Sequence, residues 1–318
     1  MRVVVIGGTG HIGSYLVPRL VELGHEVVSI SRGARRPYLD HGAWSRVESV
    51  QIDRTSAEKQ GDFARAVVDL EPEAVIDLIC FTAESAQQLV QKLSGRIQHY
   101  LFCGTIWIYG HSTIVPATEE GPRNPFGPYG INKALAERYL LTEARLRGFP
   151  ATCLHPGHIV GPGWVPVNPA GNFNPTVFAR LASGQAVVLP NLGMETLHHV
   201  HADDVAQAFV RALAARSVAI GESFHVVSPN AVTLRGYAEA VASWFGRDAV
   251  LEFLPWEQWK VTASEEEARA TWDHIAHSPN ASIDKARRLL GYDPRYSSFE
   301  AVRESVLWLH EQGRISST

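Results

Sequence analysis

The chain opens on Val3-Val4-Val5-Ile6, an unbroken β-branched run of the kind needed by a strand covered on both faces. The period then changes: Ile12, Leu16, Leu20 and Leu23 recur at helical spacing and Gly24 follows as a stop, which predicts a helix from Ile12 to Leu23. The same exchange repeats along the next part of the chain. Strands are expected at Val27 to Ile30, Val47 to Ile52, Ala74 to Ile79 and His99 to Cys103, with helices at Ala57 to Leu70 and Glu84 to Leu93. After a turn at Tyr109-Gly110 and a Pro/Gly-rich loop come a helix from Tyr129 to Arg147 and a strand from Ala151 to Leu154. Strands too apolar to face water, alternating with amphipathic helices, predict an α/β architecture: a doubly wound parallel sheet.

Beyond Pro156 the regularity loosens. Helices are expected at Thr176 to Ala182, Val205 to Ala215, Arg235 to Phe245, Ile283 to Leu290 and Phe299 to His310, with short strands near Val187, Phe224 and Leu251. The stretch Gly148 to Ala179 carries no Asp, Glu, Lys or Arg, but Pro and Gly punctuate it, so it reads as loops and not as a helix in lipid. Composition narrows the class further. The chain has 318 residues, 45% hydrophobic and 19% charged, enough for a large core. Its 29 basic and 33 acidic residues give a net charge of −4, which argues against nucleic acid and membrane surfaces as partners. Three cysteines, Cys80, Cys103 and Cys153, have no paired spacing and fit a reducing, cytoplasmic setting.

The first candidate chemistry lies where the first strand hands over to the first helix. Gly7, Gly10 and Gly13 stand in Gly7-Gly8-Thr9-Gly10-His11-Ile12-Gly13, the G-x-x-G-x-x-G variant of a dinucleotide loop. Its glycines permit a tight turn, close approach of backbone to a pyrophosphate, and close helix-to-sheet contact. At the end of the second strand, Ser31 and Arg32 replace the carboxylate that would bind a ribose diol, which favours NADP, with NAD as the alternative. Asp53-Arg54, at the end of the third strand, is placed either to meet the adenine or, for Asp53, to cap the next helix.

Tyr129 and Lys133 stand at i and i+4, about 5 to 6 Å apart at their β-carbons on one helix face. A phenol with a pKa of roughly 10 is a poor base at neutral pH, and a neighbouring ammonium favours its ionised form. Thr105 lies just past the fifth strand. The glycine loop, Thr105, Tyr109-Gly110, and Tyr129 with Lys133 together resemble the extended short-chain dehydrogenase/reductase family, the NAD(P)-dependent epimerase/dehydratase group. The resemblance continues through Leu154-His155-Pro156-Gly157-His158-Ile159-Val160-Gly161-Pro162, Val200-His201-Ala202-Asp203-Asp204-Val205-Ala206 and Leu290-Gly291-Tyr292-Asp293-Pro294.

The resemblance implies a Rossmann fold over residues 1–160, with 197–228 returning to it, and a smaller C-terminal substrate-binding lobe from 161–196 and 229–318. It implies that Tyr129 moves a proton on the reacting oxygen, Lys133 holds the ribose and lowers the phenol's pKa, and Thr105 hydrogen-bonds the substrate oxygen. Around the cofactor it places Gly7, Thr9, Gly10, His11, Ile12, Gly13, Ser31, Arg32, Asp53, Arg54, Ile79, Cys80, Phe81, Pro156 and His158 beside Tyr129 and Lys133. The implied activity is an epimerase or oxidoreductase that transfers hydride on a carbohydrate-like secondary alcohol or ketone. The alternatives are an NADPH-dependent reductase of a non-sugar ketone and a non-catalytic cofactor-sensing or RNA-associated protein. A homodimer through helices 84–93 and 129–147, using Leu135, Tyr139 and Leu140, is also implied.

Several positions depart from the family. Ile106 and Trp107 replace the acidic pair that performs elimination in the sugar-nucleotide dehydratases, and neither can transfer a proton. His155 and His158 stand where relatives usually carry Arg and Asn, and Leu197 replaces another Arg. A free sugar, a glycoside or another small hydroxy or keto compound therefore competes with a sugar diphosphate as the substrate. Trp107, His155, His158 and His199 are the expected substrate contacts. No metal is expected at His198, His199 and His201, because Asp203 beside them reads as a helix N-cap.

Overall fold

In a computed structural model describing residues 1–316, seven parallel strands form the central sheet. They are β1 (Arg2–Ile6), β2 (Glu26–Ser31), β3 (Glu48–Gln51), β4 (Ala74–Asp77), β5 (His99–Cys103), β6 (Ala151–Pro156) and the strand Ser223–Val226, which returns to the sheet beside β6. The spatial order is β3-β2-β1-β4-β5-β6 and then Ser223–Val226. β1 pairs with β2 on one side (Val3 opposite Val27) and with β4 on the other (Val3 opposite Ala74). The strand order reverses there, and such a switch opens a crevice beyond the carboxyl ends of the strands.

The β-branched run of β1 is explained by its two covered faces. Val3 and Val5 enter one core with Leu16 and Leu20 of α1 (His11–Glu22) and Phe209 of the helix Ala202–Ala214. Val4 and Ile6 enter the other, with Leu89 and Leu93 of α4 (Ala83–Leu93) and Leu140 of α5 (Gly127–Arg147). Leu140, expected at a dimer interface, thus faces the chain's own core, while Leu135 is exposed and Tyr139 half-buried. A third core, with Phe178, Leu189, Tyr237 and Val306, holds together elements outside the sheet.

Three local expectations are corrected. The helix read from Ala57 to Leu70 is two, α2 (Arg54–Gln60) and α3 (Phe63–Val68). Gly61 between them has φ +79°, a left-handed conformation that ends α2 and that side chains disfavour. Asp203 is not an N-cap: His201 caps the helix Ala202–Ala214, its Nδ1 accepting from the Asp203 amide at 3.1 Å. The Asp203 carboxylate, in the helix's first turn, instead accepts from Arg19 at 2.6 Å and pairs with Arg295. The sequence reading also missed the helix Glu265–His277. Its start was legible, because Ser264 and Glu267 form a reciprocal capping box. No helix among the described residues is long and apolar enough to cross a membrane.

Candidate active site

The crevice is a groove of about 890 Å³ that follows the ends of β1, β2 and β4. Its floor is the glycine loop. Gly7 adopts φ +90°, and a Cβ on Gly13 would stand 2.1 Å from the carbonyl oxygen of Gly8. Only glycine at 13 lets the first turn of α1 lie on the loop, which leaves the amino end of the helix open to an anion. Thr9, Gly10, His11, Ile12 and Gly13 line this part. Both ring nitrogens of His11 are buried without a hydrogen-bond partner, and its ring stacks 5.5 Å from that of Trp164. Burial lowers the His11 pKa to about 4, so the ring is neutral.

Ser31, Arg32 and Arg35 form the lip at the end of β2, and the Arg32 carbonyl is tied down by Gln51 Nε2 at 2.9 Å. Arg54 also lines the groove, held by Asp77 at 2.7 Å and Glu58 at 2.6 Å, with its Nη2 left unpartnered. Asp53 is spent as the cap of α2, accepting from the Ser56 amide at 2.8 Å, and the groove is lined by its neighbours Ile52, Arg54 and Thr55. Ile79 and Phe81 reach the groove, but the Cys80 thiol between them is buried. Burial pushes the thiols of Cys80 and Cys103 up, to about 12 and about 11, which leaves them protonated packing groups.

Lys133 is only 2% exposed, and its ammonium donates to the carbonyls of Cys80 (2.8 Å) and Cys103 (2.7 Å). A third N–H remains for a ligand. Burial lowers its pKa, and the electrostatic pull of Cys103, Cys80 and Asp77 offsets this only in part. Tyr129 is 44% exposed as a residue, and its phenol lies near Cys103 and Thr105. Burial pushes the phenol up to about 12, Cys103 adds to the rise, and a hydrogen bond from Thr105 opposes it. Trp107 joins this group to the groove: its ring stands edge-on to Tyr129 at 6.0 Å and to His158 at 6.2 Å, and stacks on His277 at 4.2 Å. One indole face is therefore already covered.

The histidines separate into different roles. His158 lines the groove. His155 does not reach it: the ring is fully buried behind Gly104, bonded through Nε2 to Glu137 and lying 3.4 Å from the Tyr109 hydroxyl. His199 sits a layer behind His158, its ring 5.3 Å from Tyr237. Pro156 is buried in β6, and Gly157 and His158 present themselves instead. His198 is occupied by the Ser228 carbonyl at 2.8 Å and the Ala281 amide at 3.1 Å, so it is not convergent with its neighbours on a metal. His274 and Phe173 also line the groove.

The groove fits a dinucleotide: glycines where a Cβ would block the loop, an open helix terminus, and His11 and Arg54 on its wall with polar atoms that have no partner. Comparison with known proteins agrees. The sequence profile of the NAD dependent epimerase/dehydratase family matches residues 3–226. The chloroplast stem-loop binding protein of 41 kDa b from Arabidopsis thaliana is 26% identical over 96% of this chain and 78% of its own length. The 2'-dehydrokanamycin reductase of Streptomyces kanamyceticus is 27% identical over 99% of this chain and 86% of its own. The structure of a UDP-glucose 4-epimerase from Thermotoga maritima, solved with UDP-glucose, superposes with a TM-score of 0.74 at 21% identity, covering 98% of this chain and 99% of that one. The chain belongs to the NAD dependent epimerase/dehydratase family and is an NAD(P)-dependent enzyme of the extended short-chain dehydrogenase/reductase type.

Proposed function

We propose that the protein is an epimerase or oxidoreductase that transfers hydride on a carbohydrate-like secondary alcohol or ketone, with NADP as cofactor and NAD as the alternative. One observation carries this reading: the Lys133 ammonium stands 5.9 Å from the Tyr129 ring with Thr105 beside the phenol, and Trp107, edge-on to both Tyr129 and His158, links this group to the groove that His158 lines. A bound nicotinamide supplies the hydride chemistry. The chain's own groups do the rest. Tyr129 exchanges a proton with the substrate oxygen, Thr105 holds the phenol and that oxygen in one plane of contact, and the free N–H of Lys133 steadies a ribose hydroxyl and favours the phenolate.

Replacing Tyr129 by Phe is expected to lower kcat by about a thousandfold while leaving NADPH affinity within a few-fold, measured by steady-state kinetics and by fluorescence titration. Retained turnover would sink the assignment. Steady consumption of added NADPH would identify a reductase, and purification with cofactor attached an epimerase. The similarity to a stem-loop binding protein supports a second, RNA-associated reading. A net charge of −4 and the complete Thr105, Tyr129 and Lys133 set weigh against it.

A further inference from the structure

The groove is electrically uneven along its length. Among the described residues that line it, the full charges are Arg32, Arg35, Arg54 and Glu58, and all stand at the end built by β2, β3 and α2. The opposite end, beside Trp107 and Tyr129, is walled by His158, His274 and Phe173, which come from distant parts of the chain. The rings of His158 and His274 lie 5.1 Å apart, and Trp107 stands edge-on to both. Phe173 closes the corner 5.7 Å from His274.

The hydrogen bonds fix what this corner can recognise. His158 Nδ1 lies 3.2 Å from the carbonyl oxygen of His198. A carbonyl only accepts, so Nδ1 carries the proton, and in a neutral imidazole the other nitrogen is then a bare acceptor. That nitrogen, Nε2, is buried and has no partner. Burial together with the neighbouring His274 and His199 holds the His158 pKa well below its ordinary value, so the ring stays neutral. Burial likewise lowers His274, to about 4. A hydroxyl can donate to such a nitrogen. A phosphate oxygen meets it lone pair against lone pair, and the nearest ammonium, Lys133, already gives two of its N–H groups to the Cys80 and Cys103 carbonyls.

We propose that the corner formed by His158, His274, Trp107 and Phe173 is a subsite for an uncharged, hydroxyl-bearing ring, such as a glycoside or cyclic polyol, with His158 Nε2 accepting one of its hydroxyls. His158 is then a specificity-determining residue that selects against phosphate-bearing substrates. This inference rests on the hydride-transfer reading and narrows its substrate class. The apolar ring faces beside the acceptor suit the alternating C–H and O–H surface of a sugar.

The test is turnover by the full-length protein of methyl α- and β-glucopyranoside and 1,5-anhydroglucitol against UDP-glucose, each with NADP⁺ and NAD⁺. At least one neutral probe is expected to exceed UDP-glucose in kcat/KM by tenfold or more. His158→Phe should raise the KM for that probe about tenfold while changing kcat much less, and His158→Asn, whose amide oxygen can accept the same hydroxyl, should recover part of the loss. The proposal is overturned by inert neutral probes, by preference for UDP-glucose, by an unchanged KM in the Phe variant, or by an equal loss of NADPH affinity in it. Tyr129→Phe separates the two levels. If it is inactive while UDP-glucose is preferred, only the subsite falls; if it turns over normally, the hydride-transfer reading falls.

Discussion

The ammonium of Lys133 lies 5.9 Å from the centre of the Tyr129 ring, one helical turn away on α5, and is held there by the sheet and not by the phenol. Its two bonds to the Cys80 and Cys103 carbonyls pin α5 to the ends of β4 and β5. Lys133→Met removes both donors and the remaining N–H together. Cofactor affinity should fall at least tenfold and kcat at least a hundredfold. Two buried carbonyls lose their partner, so a stability loss of about 2 kcal/mol should accompany this in urea denaturation. Wild-type cofactor affinity in this variant would mean that the third N–H does not reach the ribose.

A second anchor lies one turn further along the same helix. Glu137 accepts from Arg123 Nη2 at 3.0 Å and is bonded to the wholly buried His155. Burial pushes the Glu137 carboxyl up, but His155 and Arg123 outweigh it and keep the group below the usual carboxylate range. Glu137→Leu strands both partners and is expected to cost about 3 to 5 kcal/mol in chemical denaturation, with Glu137→Gln losing distinctly less. Equal losses in the two variants would show that charge is not what the site requires.

Cofactor choice should turn on Arg32, which is exposed on the groove's lip. Charged hydrogen bonds contribute about 1.5 to 3 kcal/mol, so Arg32→Asp should shift the NADP-to-NAD ratio of kcat/KM towards NAD by about ten- to a hundredfold. An unchanged ratio would leave Arg32 as a solvated loop residue.

Acid should destabilise the fold through its buried histidines, opposed in part by Asp204, whose carboxyl burial raises to about 6. Burial lowers His99 and His198 to about 4 and His199 to about 3, each below the unfolded value of 6.5. As pH falls through 6.5 the unfolded chain takes these protons first, so stability is complete above pH 6.5 and is lost towards pH 4. Each such ring contributes a slope of up to about 1.4 kcal/mol per pH unit in that window. The urea midpoint should therefore drop between pH 6.5 and 4.5. His199→Phe should flatten the drop by one proton's worth, and an identical pH profile in that variant would count against the neutral-histidine account.

Much of this architecture is local and so was legible in the residues. The change from strand to helical period at Gly7, the glycine spacing and the one-turn interval from Tyr129 to Lys133 each depend on a few consecutive positions. His155 and His158 show the limit. Three residues apart on nearly extended chain, they point to opposite sides, a cue that the alternation of a strand already offered; one is buried against Glu137 and the other lines the groove. The break at Gly61 and the capping box at Ser264 were also visible, but the polar composition of the helix Glu265–His277 concealed its periodicity.

What the sequence by itself determined is the doubly wound sheet and a dinucleotide loop feeding a Tyr129–Lys133 helix, because backbone geometry and side-chain spacing act over short range. Only the tertiary structure decided the character of the substrate corner. His274 and His277 come from a late helix, Phe173 from a loop and His158 from a short strand beyond β6 that pairs with His199–His201, and packing around Trp107 sets their distances. Burial within that packing is what makes the rings neutral, and the His198 carbonyl, by holding Nδ1 of His158, is what leaves its Nε2 bare.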